Sequence, residues 1–215
     1  MFPFPIATPQ GCNIQTFYGP GTSATTKTNF FTWNKPVGVS HVYMMLIGGG
    51  GTGDGTSGGG SGVVTVWYGA AQHIPNNLQV AVGRNEDQAF VYMYSSAGRT
   101  LLLQANGGSG ATGGTATTAG PFAASGFYQS TAGQGGSTGS VTASTTTFLS
   151  GGSDSTIETV TANYGYFVPG NGAGFFQMQP IIVGAGGSAN GLGGIGCGGG
   201  ADSVGGPGMV LIASW

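Results

Sequence analysis

Six carboxylates (Asp54, Glu86, Asp87, Asp154, Glu158 and Asp202) and two histidines (His41 and His73) are the side chains best suited to proton transfer or metal binding. Hydrolysis of a glycan needs two carboxylates that face each other across the scissile bond. Glu86 and Asp87 are adjacent, lie beside Arg84 and Asn85, and follow the strand-like Val80-Ala81-Val82-Gly83. That pattern predicts a solvated hairpin tip, not a catalytic pair. The histidines flank apolar runs and read as edge residues, because zinc requires more nitrogen or sulfur donors than they supply. Asp54 and Asp202 sit in glycine stretches that lack a repeated calcium-binding pattern.

Gly53-Asp54-Gly55-Thr56-Ser57-Gly58 spells the G-x-G-x-x-G of a dinucleotide turn, which must open a helix. The residues that follow, Val63 to Tyr68, have strand chemistry instead, and a chain with 47 glycines produces the pattern by accident. Two serine-elbow patterns, around Ser57 and Ser137, lack the later acid-then-histidine order of a hydrolase. Cys12 and Cys197 are too few for a disulfide framework or a zinc site. The expectation is a non-enzymatic protein with no cofactor.

Charge narrows the partners. Only 5% of residues are charged, and four basic against six acidic side chains give a net charge of -2. Such a surface has no electrostatic grip on a phosphate backbone, so nucleic acid is not an expected partner. The longest apolar run, Val42 to Ile47, is too short to span a bilayer, and the Met-Phe-Pro-Phe-Pro-Ile start lacks the basic and apolar regions of a secretory signal. Membrane insertion is not expected. A low net charge on a polar surface favours association, which points to other subunits or copies of the same chain as partners.

The elements that position these residues are short β-branched and aromatic runs bounded by turn residues. They lie at 30–33, 42–47, 63–68, 78–82, 90–94, 101–104, 141–143, 145–149, 156–161, 164–168, 175–183 and 209–213. No window carries a helical apolar stripe, so almost no helix is expected. The expected fold is all-β, a β-sandwich or jelly-roll-like domain over residues 29–215, with Val42 to Ile47 as a central strand buried on both faces. Residues 1–28, with prolines at 3, 5, 9 and 20, are expected to form an extended arm. Its Phe2, Phe4, Ile6 and Phe17 are candidate contacts to a neighbouring subunit. Tyr164, Tyr166, Phe167, Phe175 and Phe176 read first as alternating core aromatics, and second as a flat sugar-binding or subunit surface.

Two glycine tracts, 48–62 and 184–208, each lead into a strand. Polyglycine adopts an extended helix with three residues per turn and no internal hydrogen bonds, so its backbone groups must be satisfied by neighbours. The expectation is that the tracts are ordered, polyglycine II-like loops packed against each other, with Gly48, Gly51, Gly193, Gly196 and Gly199 as candidate packing positions.

Phe30-Phe31-Thr32-Trp33, then Pro36-Val37-Gly38-Val39, then Val42 to Ile47 with Gly48-Gly49-Gly50-Gly51, resembles the glycine-rich domain of bacteriophage tail-fibre and other virion structural proteins. The likeness continues through Ile74-Pro75 and Val80-Ala81-Val82-Gly83, and through the closing Gly205-Gly206-Pro207-Gly208-Met209-Val210-Leu211-Ile212. Residues 84–180 carry no motif of that family. The resemblance implies a surface component of a virion, assembled in the host cytoplasm, and supplies no catalytic residues. Capsid decoration or cement, or a small spike, is the leading expectation, with other virion proteins as partners. The alternative is the host-receptor-binding tip of a tail fibre, an adhesin that reads a surface glycan or an outer-membrane protein.

Overall fold

The computed structural model describes residues 13–21, 24–138, 149, 151–153 and 186–215. Among these, nine strands form two antiparallel sheets with almost no helix, an all-β sandwich. The strands are β1 (Asn13–Tyr18), β2 (Thr28–Asn34), β3 (His41–Ile47), β4 (Val64–Ala70), β5 (Asn77–Gly83), β6 (Ala89–Ser95), β7 (Gly98–Ala105), β8 (Gly126–Thr131) and β9 (Met209–Ser214). One sheet has the order β1-β9-β3-β4-β8 and the other β2-β5-β6-β7. The strands expected at 141–143 and 145–149, apart from Leu149, and those between 156 and 183, together with Asp154, Glu158 and the aromatics from Tyr164 to Phe176, lie outside the described residues.

β3 is the central strand of the five-stranded sheet, and every residue from Val42 to Ile47 is buried. Its alternate side chains serve two cores. Val42, Met44 and Leu46 meet Trp33, Val80, Val82, Val91 and Leu103 of the other sheet, whereas Tyr43, Met45 and Ile47 pack with Val64, Leu149, Cys197 and Leu211. Burial on both faces is why the run is apolar at both parities. The closing strand β9 pairs with β3 from Val42↔Ser214 to Ile47↔Met209, so the end of the chain completes the middle of the sheet.

Trp67 fills the centre of the sandwich and stacks on Phe122 with ring centroids 4.9 Å apart. Its indole lies over Gly69 and Gly126, a cross-strand pair; a Cβ on either would fall onto the ring. Around Thr65 the buried polar groups are satisfied by hydroxyls. Buried Thr65 donates to the Gln104 carbonyl (2.8 Å) and meets Thr117 and Ser130. Tyr128 then donates to the Thr117 carbonyl (2.9 Å), tying the loop before β8 to the sheet.

The expected arm over 1–28 is shorter than the prolines imply. Residues 13–18 are β1, paired with β9 from Asn13↔Ser214 to Tyr18↔Met209. Phe17 packs on the sandwich core and against Phe31 at 5.2 Å, so it is a core contact of its own domain, not an arm contact to a neighbour. The prolines lie outside β1, and an edge position needs a partner on one side only. Phe2, Phe4 and Ile6 lie outside the described residues.

Candidate functional site

Among the described residues, strand register brings the glycine segments 48–62, 106–114, 132–136 and 186–208 to one end of the sandwich. Ile47 is opposite Val64 and Met209, Val64 is opposite Thr131, and Val82 and Ala105 both lie opposite Ala89. The chain therefore leaves and re-enters the sheets at that end through 48–63 and 84–88, leaves them there again at 106 and at 132, and re-enters there at β9.

The hydrogen bonds of these segments step by three residues. Gly48 and Gly51 donate to Val63 and Gly60 (3.0 and 2.6 Å). Gly49 donates to the Asp87 carbonyl (2.9 Å), and Thr52 to the Glu86 carboxylate (3.0 Å), both in the β5–β6 turn. Gly50 and Gly53 donate to Gly206 and Ser203 (2.9 and 2.8 Å). The returning segment repeats the cycle: Gly58 and Ser61 donate to Ser137 and Gln134, Gly59 and Gly62 to Gly199 and Gly196, and Gly60 and Val63 to Gly110 and Asn106. Asn190, Gly193 and Gly196 keep the same step along Ala201, Val204 and Pro207. Three is the repeat of an extended three-residue-per-turn helix, whose donors point in turn to three neighbours.

Close approach explains the composition. A Cβ on Gly48 would fall onto the Asn106 carbonyl oxygen, one on Gly50 onto that of Cys197, and one on Gly51 onto that of Gly110. Those on Gly193 and Gly199 would meet the carbonyls of Cys197 and Ser203. Gly196 adds a φ of +67° and would drive a Cβ into Ile47. The obstacles at the first five positions are backbone, which cannot move aside as a side-chain end can.

Glu86 and Asp87 lie in the solvent-facing turn of the β5–β6 hairpin, as their charges suggest, and their backbone groups are in addition bonded to the glycine segments. Glu86 takes a φ of 64° and donates its N–H to Gly50 (2.9 Å), while the Asp87 carbonyl accepts from Gly49. The turn is thus one row of the lattice, and its only close charge contact among the described residues is Arg84 to Asp87 at 3.9 Å.

The lattice ends in polar turns. Asp54 and Ser57 close one, Ser109 and Thr112 another, and Asn190 and Asp202 adopt positive φ in two more. The Asp54 carboxylate accepts from the backbone N–H groups of Thr56 and Ser57 and from both hydroxyls, at 2.8–3.0 Å. These bonds, that from the Thr56 N–H foremost, hold its pKa down to about 2. Among the described residues no three His, Cys, Asp or Glu side chains gather to hold a metal ion. His41 instead joins Tyr68 (5.7 Å) and Trp215 (5.9 Å) in a cluster of three rings, and His73 Nδ1 lies 3.0 Å from the Ser125 carbonyl.

The second distinctive surface is the solvent face of β2-β5-β6-β7, which the sequence reading did not single out. Ser96 and Ala97 form a two-residue turn, and Gly98 takes a φ of 114° that a side chain would oppose. This tight turn sets Arg99 directly across from Tyr94. Phe30 and Phe90 flank Ala81 in one cross-strand row, and Thr32, Gln79, Tyr92 and Leu101 form the next. The Arg99 guanidinium lies over the rings of Phe30, Tyr92 and Tyr94 at 5.5, 5.9 and 5.8 Å. Phe30, Tyr94 and Leu101 remain 55%, 57% and 44% exposed. Alternation of Phe90, Tyr92 and Tyr94 before a short turn was the available signal.

Comparison with known proteins returns no matching family model, no matching curated protein and no matching solved structure.

Proposed function

We propose that this chain is a non-enzymatic structural protein of a bacteriophage particle, displayed on the virion surface as a capsid decoration or cement component or a small spike. The observation that carries the reading is the glycine lattice. Donors that step by three residues tie the described segments to one another, and polyglycine II-like packing leaves no room for a side chain at Gly48, Gly50, Gly51, Gly193 or Gly199. A body of this kind holds its polar turn tips stiffly while presenting few charged side chains to solvent, which suits a display role. The resemblance to glycine-rich virion domains runs through β2, β3, the first lattice row and β9, the same elements that join lattice to sandwich.

The partners under this reading are other virion proteins and copies of the chain. Residues 1–12, with Phe2, Phe4 and Ile6, are the proposed tether, and removing them leaves β1 whole. Particles assembled with the 1–12 deletion should lose the protein while the purified domain keeps its melting temperature; undiminished occupancy would refute the tether. A second reading, the receptor-binding tip of a tail fibre, is favoured by the exposed aromatic face around Arg99. Antibody labelling of intact particles separates the two. Labels spread over the head support decoration, labels at fibre ends support the tip, and unlabelled particles contradict both.

A further inference from the structure

We infer that the outer face of β2-β5-β6-β7 is a binding site for a carboxylate-bearing glycan, in which Arg99 takes the carboxylate and the rings of Phe30, Tyr92 and Tyr94 take the apolar face of the sugar. The inference goes beyond the virion reading and does not depend on which part of a particle carries the chain.

Arg99 differs from the better-tethered cations of the protein. Lys35 donates to the carbonyls of Ala71 and Ile74 (3.0 and 2.6 Å), and Arg84 donates to Ala24 (3.1 Å) and lies near Asp87. Arg99 is held only by ring faces, and among the described residues none accepts a hydrogen bond from it. The ring faces hold the guanidinium in place without using its N–H donors, which suits a planar bidentate acceptor such as a carboxylate.

The face itself excludes one occupant. None of its four strands contains an Asp or Glu. A second copy pairing through the same face by two-fold symmetry would oppose arginine to arginine with no counter-charge, which is unfavourable. The occupant must bring the negative charge. Around the arginine the face offers aromatic rings, the hydroxyl of Thr32, and the amides of Gln79 and Gln104. Rings with amides and hydroxyls suit a ligand whose C–H face is apolar and whose rim is hydroxyl, which describes a sugar better than an acidic peptide.

The test is titration of the full chain with tetragalacturonate and its methyl ester, and with sialyllactose and lactose. The acids should bind at least about tenfold more tightly than their neutral counterparts. Arg99→Gln should bring the acids down to the neutral level, and Arg99→Lys, which keeps the charge but not the fork, should recover only part of the difference. Tyr94→Ala should weaken acid and neutral ligands alike, with each variant's melting temperature confirming its fold. Equal binding of acid and neutral forms, or acid binding that survives Arg99→Gln, would overturn the inference. So would binding of a polyglutamate peptide without any glycan, or a concentration-dependent dimer that Arg99→Gln dissolves.

Discussion

Trp67 and Gly50 lie a strand apart in one chain and fill space by opposite means. At Trp67 the interior is a large side chain laid over two glycines, and the neighbours are side chains of the facing sheet. At Gly50 the interior is backbone: its N–H meets the Gly206 carbonyl, and the space a Cβ would take already holds the Cys197 carbonyl oxygen. The sandwich is held by apolar burial, which tolerates small changes of shape at moderate cost. The lattice is held by hydrogen bonds between chains in near contact, and at positions such as Gly48, Gly50 and Gly59 backbone already fills the space of a Cβ. The two regions should therefore respond differently to the same chemical change.

The largest effect belongs to the lattice. Gly50→Val, or Gly196→Val with its positive φ and the Ile47 collision, should destabilise by more than about 4 kcal/mol, the range reached only by strong clashes or backbone strain. Chemical denaturation checks this, and a loss below about 1 kcal/mol would show that the chains are not in contact. Next comes the sandwich: Leu78→Ala, at a buried side chain, should cost about 3 kcal/mol as an ordinary cavity and leave the lattice intact. Gly120→Ala sharpens the contrast, because nothing lies within reach of its Cβ and its φ of -78° suits any residue. It should change stability by no more than about 0.5 kcal/mol.

The smallest effect concerns acid. Asp54 has a pKa lowered to about 2 by donors from Thr56 and Ser57, so the folded carboxylate binds protons less readily than the unfolded one. The stability it contributes is fully present above the ordinary carboxylate pKa of about 4 and is lost as pH falls toward about 2. The melting-temperature gap between the wild type and Asp54→Ala should narrow over that interval; a gap that stays constant would place the effect elsewhere.

The parts of the fold legible in the sequence follow from burial. β3 and β9, central and covered, are written as apolar runs, and β2, β4, β5, β6 and β7 as β-branched and aromatic runs between turn residues. β1 and β8 were not legible as strands. They are the two outer strands of the five-stranded sheet, and their residues are exposed or half-buried, which leaves no apolar pattern to read. The partners of each glycine were illegible for a different reason: a tract with no side chains carries no register, and the register comes from the strands at its ends. The Arg99 face depends on a cross-strand pairing that only the turn at Ser96 and Ala97 fixes. The hairpin tip at Glu86 and Asp87 was legible from their charges, whereas the bonds of their backbone groups to Gly49 and Gly50 were not.

The claim that a backbone lattice is an ordered interior rests most directly on amide hydrogen exchange resolved by residue. The N–H groups of Gly50, Gly59, Gly62 and Gly199, which donate to Gly206, Gly199, Gly196 and Gly51, should exchange as slowly as those of Met44 and Leu46 in β3. Exchange of these glycine amides at the rate of an open loop, while β3 stays protected, would contradict it.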